Sequence, residues 1–444
     1  MTLTEAAPTR TGLPAHVPVA VVGGGQAGLS ISWHLVQRGV EHVVLERETV
    51  AHEWVDARWD TFCLVTPNWQ CRLPGWPYAG DDPEGFMLRD EIVDYVRSYA
   101  ASFDPPVHEG VAVTRLAPAA EGGYLLTTSA GELHADQVVL AVGGYHLPVV
   151  PPYASALPDG ITQLHSQAYR NPEQLPEGEV LVVGTGQSGA QIAEDLHLAG
   201  RRVHLAVGSA PRIARRYRGR DVVAWLDDLG HYDLPVEQHR DGEAARVGTN
   251  HYVTGRDGGH DIDLRTFAVQ GMRLYGTLTG LAGSALTFAP NLTAHLDRAD
   301  AVDDGAKDVI DRHIAAAGID APTEDRYVPV WAPAEDPKEL ELEGSGITAV
   351  VWAIGFRADW SWVKVPVFDG TGYPTHHRGV TAAPGLFVLG LPWLHTWGSG
   401  RFAGIARDAE FVADRITELS AAGTRTGLSS ALAAGAASSA SRTA

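Results

Sequence analysis

The pattern G-x-G-x-x-G occurs twice in this chain, as Gly23-Gly24-Gly25-Gln26-Ala27-Gly28 and as Gly184-Thr185-Gly186-Gln187-Ser188-Gly189. Each copy follows a short apolar run, Val17 to Val22 and Val180 to Val183. Helical periodicity comes next. Leu29, Ser32, Trp33 and Val36 share one face, with Gly39 placed to end the helix, and Ala190 to Ala199 with Gly200 repeats the scheme. His42 to Leu45 and Val203 to Val207 read as the following strands. Strand, tight turn, helix and strand in that order open a doubly wound parallel sheet. The first glycine permits the turn, the second lets backbone approach a pyrophosphate, and the third lets helix pack close to strand. The helix N-terminus then offers unpaired N–H groups and the positive end of its dipole to phosphate. The two copies direct the chain to the α/β class, with two Rossmann-like dinucleotide-binding domains.

The residues at the end of each unit distinguish the two sites. Glu46 closes the second strand of the first unit, 18 residues beyond Gly28. A carboxylate there accepts hydrogen bonds from ribose hydroxyls and repels a 2′-phosphate, so the first site suits FAD or NAD. No acid closes the matching strand of the second unit, which runs on as Val207-Gly208-Ser209-Ala210-Pro211-Arg212. Arg215, Arg216, Arg218 and Arg220 come next. Ser209, Arg212 and Arg215 are therefore the candidates for a 2′-phosphate. The second site is expected to prefer NADPH, with NADH as the alternative. Two dinucleotide sites in one chain imply hydride transfer from a nicotinamide to a flavin.

At 444 residues the chain exceeds one ordinary core. Gln137 to Val142 is an apolar run ending in Gly143-Gly144, and Ala349 to Ile354 repeats it before Gly355. Taken as hinges, these runs place an FAD domain at 1–155 and 345–423 and an inserted NAD(P)H domain at 156–344. Segment 215–293 of the insertion is polar, aromatic and less regular, and an Ala/Ser/Gly/Thr-rich tail at 424–444 is expected to be mobile. The net charge of −20 argues against nucleic acid and anionic membrane as partners and hints at a cationic substrate. There is no apolar run of about 20 residues and no basic-then-apolar leader. With only two cysteines, Cys63 and Cys71, the expectation is a cytoplasmic protein with reduced thiols. Their spacing is wider than that of redox C-x-x-C pairs. His376-His377 lack a matching cysteine or carboxylate cluster, so no metal site is expected. Oligomeric state is not legible.

Further motifs accompany the fingerprints: Glu53-Trp54, Arg58-Trp59-Asp60, Leu73-Pro74-Gly75, Val351 to Arg357 and Gly385 to Gly390. With them, over most of Val17 to Ile416, the chain resembles two-dinucleotide-domain flavoproteins related to the flavin-containing and Baeyer–Villiger monooxygenases. It is more similar still to bacterial flavoproteins and to the plant auxin-pathway monooxygenases. It departs from the monooxygenase signature F-x-G-x-x-x-H-x-x-x-Y/F-K/R. No Phe precedes Gly160, and four residues separate that glycine from His165, although His165 to Arg170 keeps the second half.

The resemblance implies that NADPH reduces FAD, that O2 adds to give a C4a-(hydro)peroxyflavin, and that a small molecule is oxygenated at nitrogen or a carbonyl. It sets Arg47, Trp54, Thr66, Val113, Ala141, Gly143, Gly355 and Gly390 beside the cofactors. It makes Asn68, in Thr66-Pro67-Asn68, and His395, in the run Trp393 to Trp397, the catalytic candidates, with a structural loop histidine as the alternative for His395. A helix opening near Gly400 to Gly404 would direct its positive end at the reduced flavin. Two other readings stay open: an NAD(P)H:acceptor reductase or oxidase without oxygenation, and a flavin-binding regulatory protein without turnover.

Overall fold

A computed structural model describes residues 12–422 in full and the backbone of 423–440. The tail at 424–444 lies outside the fully described residues. In the first sheet, β1 (His16–Val22) runs parallel between β2 (His42–Leu45) and the strand Gly131–Leu140. Val107–His108 extends the β2 side, and Leu386–Val388 pairs in parallel with the far side of Gly131–Leu140. Successive residues of β1 point to opposite faces. Val19 and Val21 enter a core with α1 (Gln26–Gln37) and the helices Arg89–Phe103 and Ile405–Ala440. Ala20 and Val22 enter a second core with the hairpin Val113–Pro118/Tyr124–Thr128 and the segment 360–367. Burial of both faces explains why β1 and β2 read as unbroken apolar runs.

The second sheet is wholly parallel, in the order Thr162–His165, Ile347–Trp352, Glu179–Val183, Val203–Ala206, Arg273–Tyr275. This corrects the expected boundary at 345. Ile347–Trp352 lies inside the second sheet, between two parallel neighbours, and does not belong to the first domain. An apolar run shows that a strand is central but not in which sheet. The chain returns only after Gly355, where Phe356–Arg357 pairs antiparallel with the outgoing Leu147–Pro148. The two crossings thus lie side by side.

Segment 215–293 is more regular than its composition suggests. It holds the hairpin Arg216–Tyr217/Arg220–Asp221, the helices Val222–Asp228 and Leu264–Val269, the edge strand Arg273–Tyr275 and the hairpin Leu278–Ala282/Ala285–Phe288. A 26-residue helix, Leu292–Ala317, comes after it. The two units meet where Thr61 Oγ1 donates to Asp195 Oδ1 at 2.6 Å and where Pro235 bridges Thr396.

Candidate functional site

The two glycine loops are built alike. Gly23 and Gly184 take φ of 106° and 102° and donate their N–H groups to the carbonyls of Leu45 and Ala206 at 2.8 and 2.9 Å. A Cβ on Gly28 would stand 1.8 Å from the Gly23 carbonyl oxygen, and one on Gly189 2.0 Å from that of Gly184. Only glycine lets these helices begin so close to their loops.

Gly25 and Gly186 differ. A Cβ on Gly25 would meet nothing within 4 Å, and one on Gly186 only the Thr249 methyl at 3.7 Å. Internal packing does not call for glycine at either place, whereas a ligand approaching the backbone does. Both residues cap 12-residue helices with no side-chain hydrogen bond, and neither first turn holds an acid. Their first N–H groups are free to meet an anion. Both loops therefore fit a dinucleotide pyrophosphate.

Glu46 stands at the first loop. Its Oε2 accepts from Gly24 N at 2.6 Å and its Oε1 from Glu48 N at 2.9 Å. In the second loop no carboxylate takes this place; the Thr185 hydroxyl accepts from Gly208 N at 3.0 Å. Ala141 and Gly390 border the first loop: Cβ atoms on Gly23 and Gly390 would lie 2.5 Å from Ala141 O and from the Ala27 Cβ. Gln26 Nε2 donates to Gly400 O at 3.2 Å, drawing the turn Trp397–Gly400 to the same place. Gln187 and Gln191 both donate to the Val253 carbonyl, which holds 249–254 against the second loop, and Ser188 is half-buried in the helix's first turn.

Gly143 and Gly355 hold positive φ of 71° and 94° at the two crossings. Trp54 stacks on Phe402 at 5.6 Å. Thr66 and Val113 are half-buried, and Ser209 is exposed beyond the strand Val203–Ala206. Arg47 is exposed, 3.6 Å from Glu48.

Two phosphate candidates are corrected. Arg212 is buried, paired with Asp300 at 2.7 Å and Asp303 at 3.2 Å, and lies 3.9 Å from the Tyr327 ring. Arg215 is buried against Asp221 at 2.7 Å and donates to Val65 O. Their charges are neutralised within the fold, so neither is available to a 2′-phosphate.

Asn68 is likewise occupied: its Oδ1 accepts from Met87 N at 2.7 Å and its Nδ2 donates to Asp82 O at 3.0 Å. It ties its own loop together through both ends of its amide. His395 keeps an unpartnered, buried Nδ1. Burial holds its imidazole below the usual histidine range, and its charged neighbours are Arg378, Asp408, Glu237 and Arg407.

Sequence reasoning passed over Arg58 and Arg401. Each is half-buried at the junction of the units, and among the described residues neither has a carboxylate partner. Arg58 was visible only as part of a shared motif, and Arg401 only as a residue among glycines. Among the described residues, His16, His134 and Asp136 bring ligand atoms within 4.8 Å of one another, at the opposite end of β1 from its glycine loop. No helix among the described residues is long and apolar enough to cross a membrane.

Residues 20–234 match the family model described as pyridine nucleotide-disulphide oxidoreductase. The uncharacterized oxidoreductase CzcO-like of Geobacillus kaustophilus is 30% identical over 402 residues, covering 90% of this chain and 98% of the relative. The chain belongs to the CzcO-like oxidoreductases. It is an enzyme of the flavin-dependent oxidoreductase and monooxygenase kind. This CzcO-like chain is also 32% identical over 204 residues to the indole-3-pyruvate monooxygenase YUCCA1 of Oryza sativa subsp. japonica, covering 45% of this chain and 50% of that one. The flavin-containing monooxygenase of Stenotrophomonas maltophilia shares the fold, with a TM-score of 0.63 at 20% identity over 91% of this chain and 99% of that one.

The family model's disulphide chemistry finds no dithiol here. Cys63 and Cys71 are separate, buried thiols, and burial pushes them up to about 11 and about 12. A thiol so far from ionising at neutral pH is a poor nucleophile.

Proposed function

We propose that this enzyme is an NAD(P)H-dependent FAD monooxygenase acting on a small organic molecule. The observation that carries this reading is the pair of open glycine loops combined with the absence of a usable dithiol. The chain is equipped to bring two dinucleotides together but not to pass electrons on through its cysteines. Gly25 and the N-terminus of α1 hold the FAD pyrophosphate, and Glu46 accepts from its ribose hydroxyls. Gly186 and the helix Gln187–Leu198 hold the nicotinamide coenzyme in the same manner.

Bound flavin supplies the redox chemistry between nicotinamide, O2 and substrate. In the overall reaction, substrate, O2, NAD(P)H and a proton give oxygenated product, water and NAD(P)+. With Arg212 and Arg215 neutralised internally, the exposed Arg216 and Ser209 are left as the groups able to meet a 2′-phosphate, with NADPH as the expected coenzyme and NADH as the alternative. The experiment is turnover under 18O2 with a panel of nitrogen- and carbonyl-bearing compounds. One labelled oxygen atom in the product, with one coenzyme consumed, supports the proposal. Coenzyme oxidation that yields only hydrogen peroxide across the panel favours an oxidase and overturns it.

A further inference from the structure

We propose that His16, His134 and Asp136 form a binding site for a divalent transition cation of the zinc class, separate from both dinucleotide loops. It does not depend on the monooxygenase reading. β1 and the strand Gly131–Leu140 run parallel, and their register sets His16 directly beside His134. Asp136 stands two residues further along the second strand, on the face that His134 shares. Leu133 and Ala135, which alternate with them, are buried in the core on the other face. Three side chains able to ligate a metal thus meet at one end of the sheet, although 120 residues separate His16 from Asp136. That separation is why the sequence, read for neighbouring ligands, offered no metal site.

The geometry is close to what a cation needs. His16 Nε2 lies 2.8 Å from Asp136 Oδ1, and the His16 and His134 rings are stacked 5.7 Å apart. One ligand atom from each of the three residues lies within 4.8 Å of the other two. Zinc takes imidazole nitrogen and carboxylate oxygen at about 2.0–2.2 Å, so ligand atoms around one tetrahedral ion stand about 3.3–3.5 Å apart. Small side-chain rotations close the difference, and His16 and Asp136 are both exposed enough to turn. His134 Nε2 is buried, and among the described residues it has no hydrogen-bond partner. An unpaired buried nitrogen costs free energy that coordination of an ion would recover. His204 and His260 also meet carboxylates, 2.7 Å from Glu179 and Glu194, but neither gathers a third ligand. Among the described residues, two imidazoles and a carboxylate converge only here.

The surroundings admit an ion. The three residues line an open recess together with Glu121, Gly122 and Gly123 of the turn between Pro118 and Tyr124. A Cβ on Gly123 would stand 2.5 Å from Ala135 O, so this turn is pressed onto the strand that carries His134 and Asp136. Glu121, exposed on the turn, offers a further oxygen at the rim. No lysine or arginine lines the recess, and the net charge of −20 draws cations to the surface. Two imidazoles favour zinc and its neighbours over magnesium and calcium, which prefer oxygen. β1 has seven residues, so the site lies about 20 Å from the first glycine loop. A bound ion there would pin the first residue of β1 to its neighbours and stabilise this edge of the sheet, without touching the flavin chemistry.

The test uses the full chain without an affinity tag, flavin-loaded and stripped of metal with a chelator. Zinc chloride is titrated into it by calorimetry, and Tm is read with and without zinc. Wild type is expected to bind one zinc ion at this site and to gain Tm. His134→Gln and Asp136→Asn should each weaken that binding at least about tenfold and lose the gain in Tm, with flavin content and zinc-free Tm kept. His16→Gln, at the exposed start of β1, gives an independent check should a variant on the central strand lower the zinc-free Tm. His376→Gln should match wild type, and magnesium chloride should give no gain. The proposal is overturned if wild type shows neither zinc binding nor a gain in Tm. It is also overturned if the three ligand variants bind zinc as wild type does, or if magnesium serves as well as zinc.

Discussion

Replacing Gly186 by alanine separates what the second glycine loop does for the fold from what it does for a ligand. Its φ of −59° and ψ of 174° are open to alanine. The new methyl would meet only the Thr249 methyl at 3.7 Å, an ordinary contact. Alanine is a poorer helix cap than glycine, but it also restricts the unfolded chain, and these opposing effects are each below about 1 kcal/mol. Stability should therefore hardly change.

The ligand meets a different surface. The methyl occupies the space through which a phosphate oxygen would reach the helix N–H groups. Losing one charge-assisted hydrogen bond costs about 1.5–3 kcal/mol, on the order of tenfold to a hundredfold in affinity. The assay is the coenzyme concentration dependence of anaerobic flavin reduction, with Tm and flavin content measured alongside. Gly189→Ala is the counter-example: its Cβ would stand 2.0 Å from a backbone oxygen, so it should lower Tm through overpacking of about 1–3 kcal/mol or more. Gly186→Ala with a normal Tm and unchanged coenzyme dependence would refute the assignment of this loop.

Arg212→Gln would remove one of two cations from each of Asp300 and Asp303, which keep Arg265 and Lys307, and should cost about 1.5–3 kcal/mol of stability. The ratio of kcat/KM for NADPH to that for NADH should stay the same, and a selective loss with NADPH would return Arg212 to the phosphate. Glu46→Ala should release flavin more readily, since ribose hydroxyls and Gly24 N lose an acceptor; unchanged flavin content would count against the first site. Burial, reinforced by His251, His239 and Arg401, lowers His231 to about 4. Its unfolded value is about 6.5, so the folded state binds this proton less readily. Its contribution is present above about pH 6.5 and is lost as pH falls toward about 4. His231→Gln should flatten the fall in Tm over that window, and an equal slope in both proteins would exclude His231 as a source.

Both glycine loops were legible because their demands are local. A turn, a close helix start and an open backbone are each imposed within six residues, and the structure places Gly23 and Gly184 in matching conformations. Glu46 was legible for the same reason, standing one residue past its strand. The fate of Arg212 was not. Its partners Asp300 and Asp303 lie on one face of a helix nearly ninety residues downstream, and nothing near Arg212 in the chain announces them. A run of arginines looks the same whether it meets phosphate or aspartate. The boundary at 345 failed similarly, since an apolar strand carries no mark of which sheet will accept it. Asn68 reads as a polar residue in a promising loop, but its amide is consumed by Asp82 and Met87 of the same hairpin-like excursion. Arg58 and Arg401 stand out only once the rest of the fold has left them without counter-charges.

The most direct measurement is anaerobic mixing of flavin-loaded enzyme with NADPH and, separately, with NADH, watching the visible flavin band. Two dinucleotides held in one chain by two equivalent loops predict that the band bleaches with either coenzyme, and that Gly186→Ala bleaches only at raised coenzyme concentration. A band that persists with both coenzymes in the wild-type enzyme would contradict the claim that the second loop delivers electrons to a flavin held by the first.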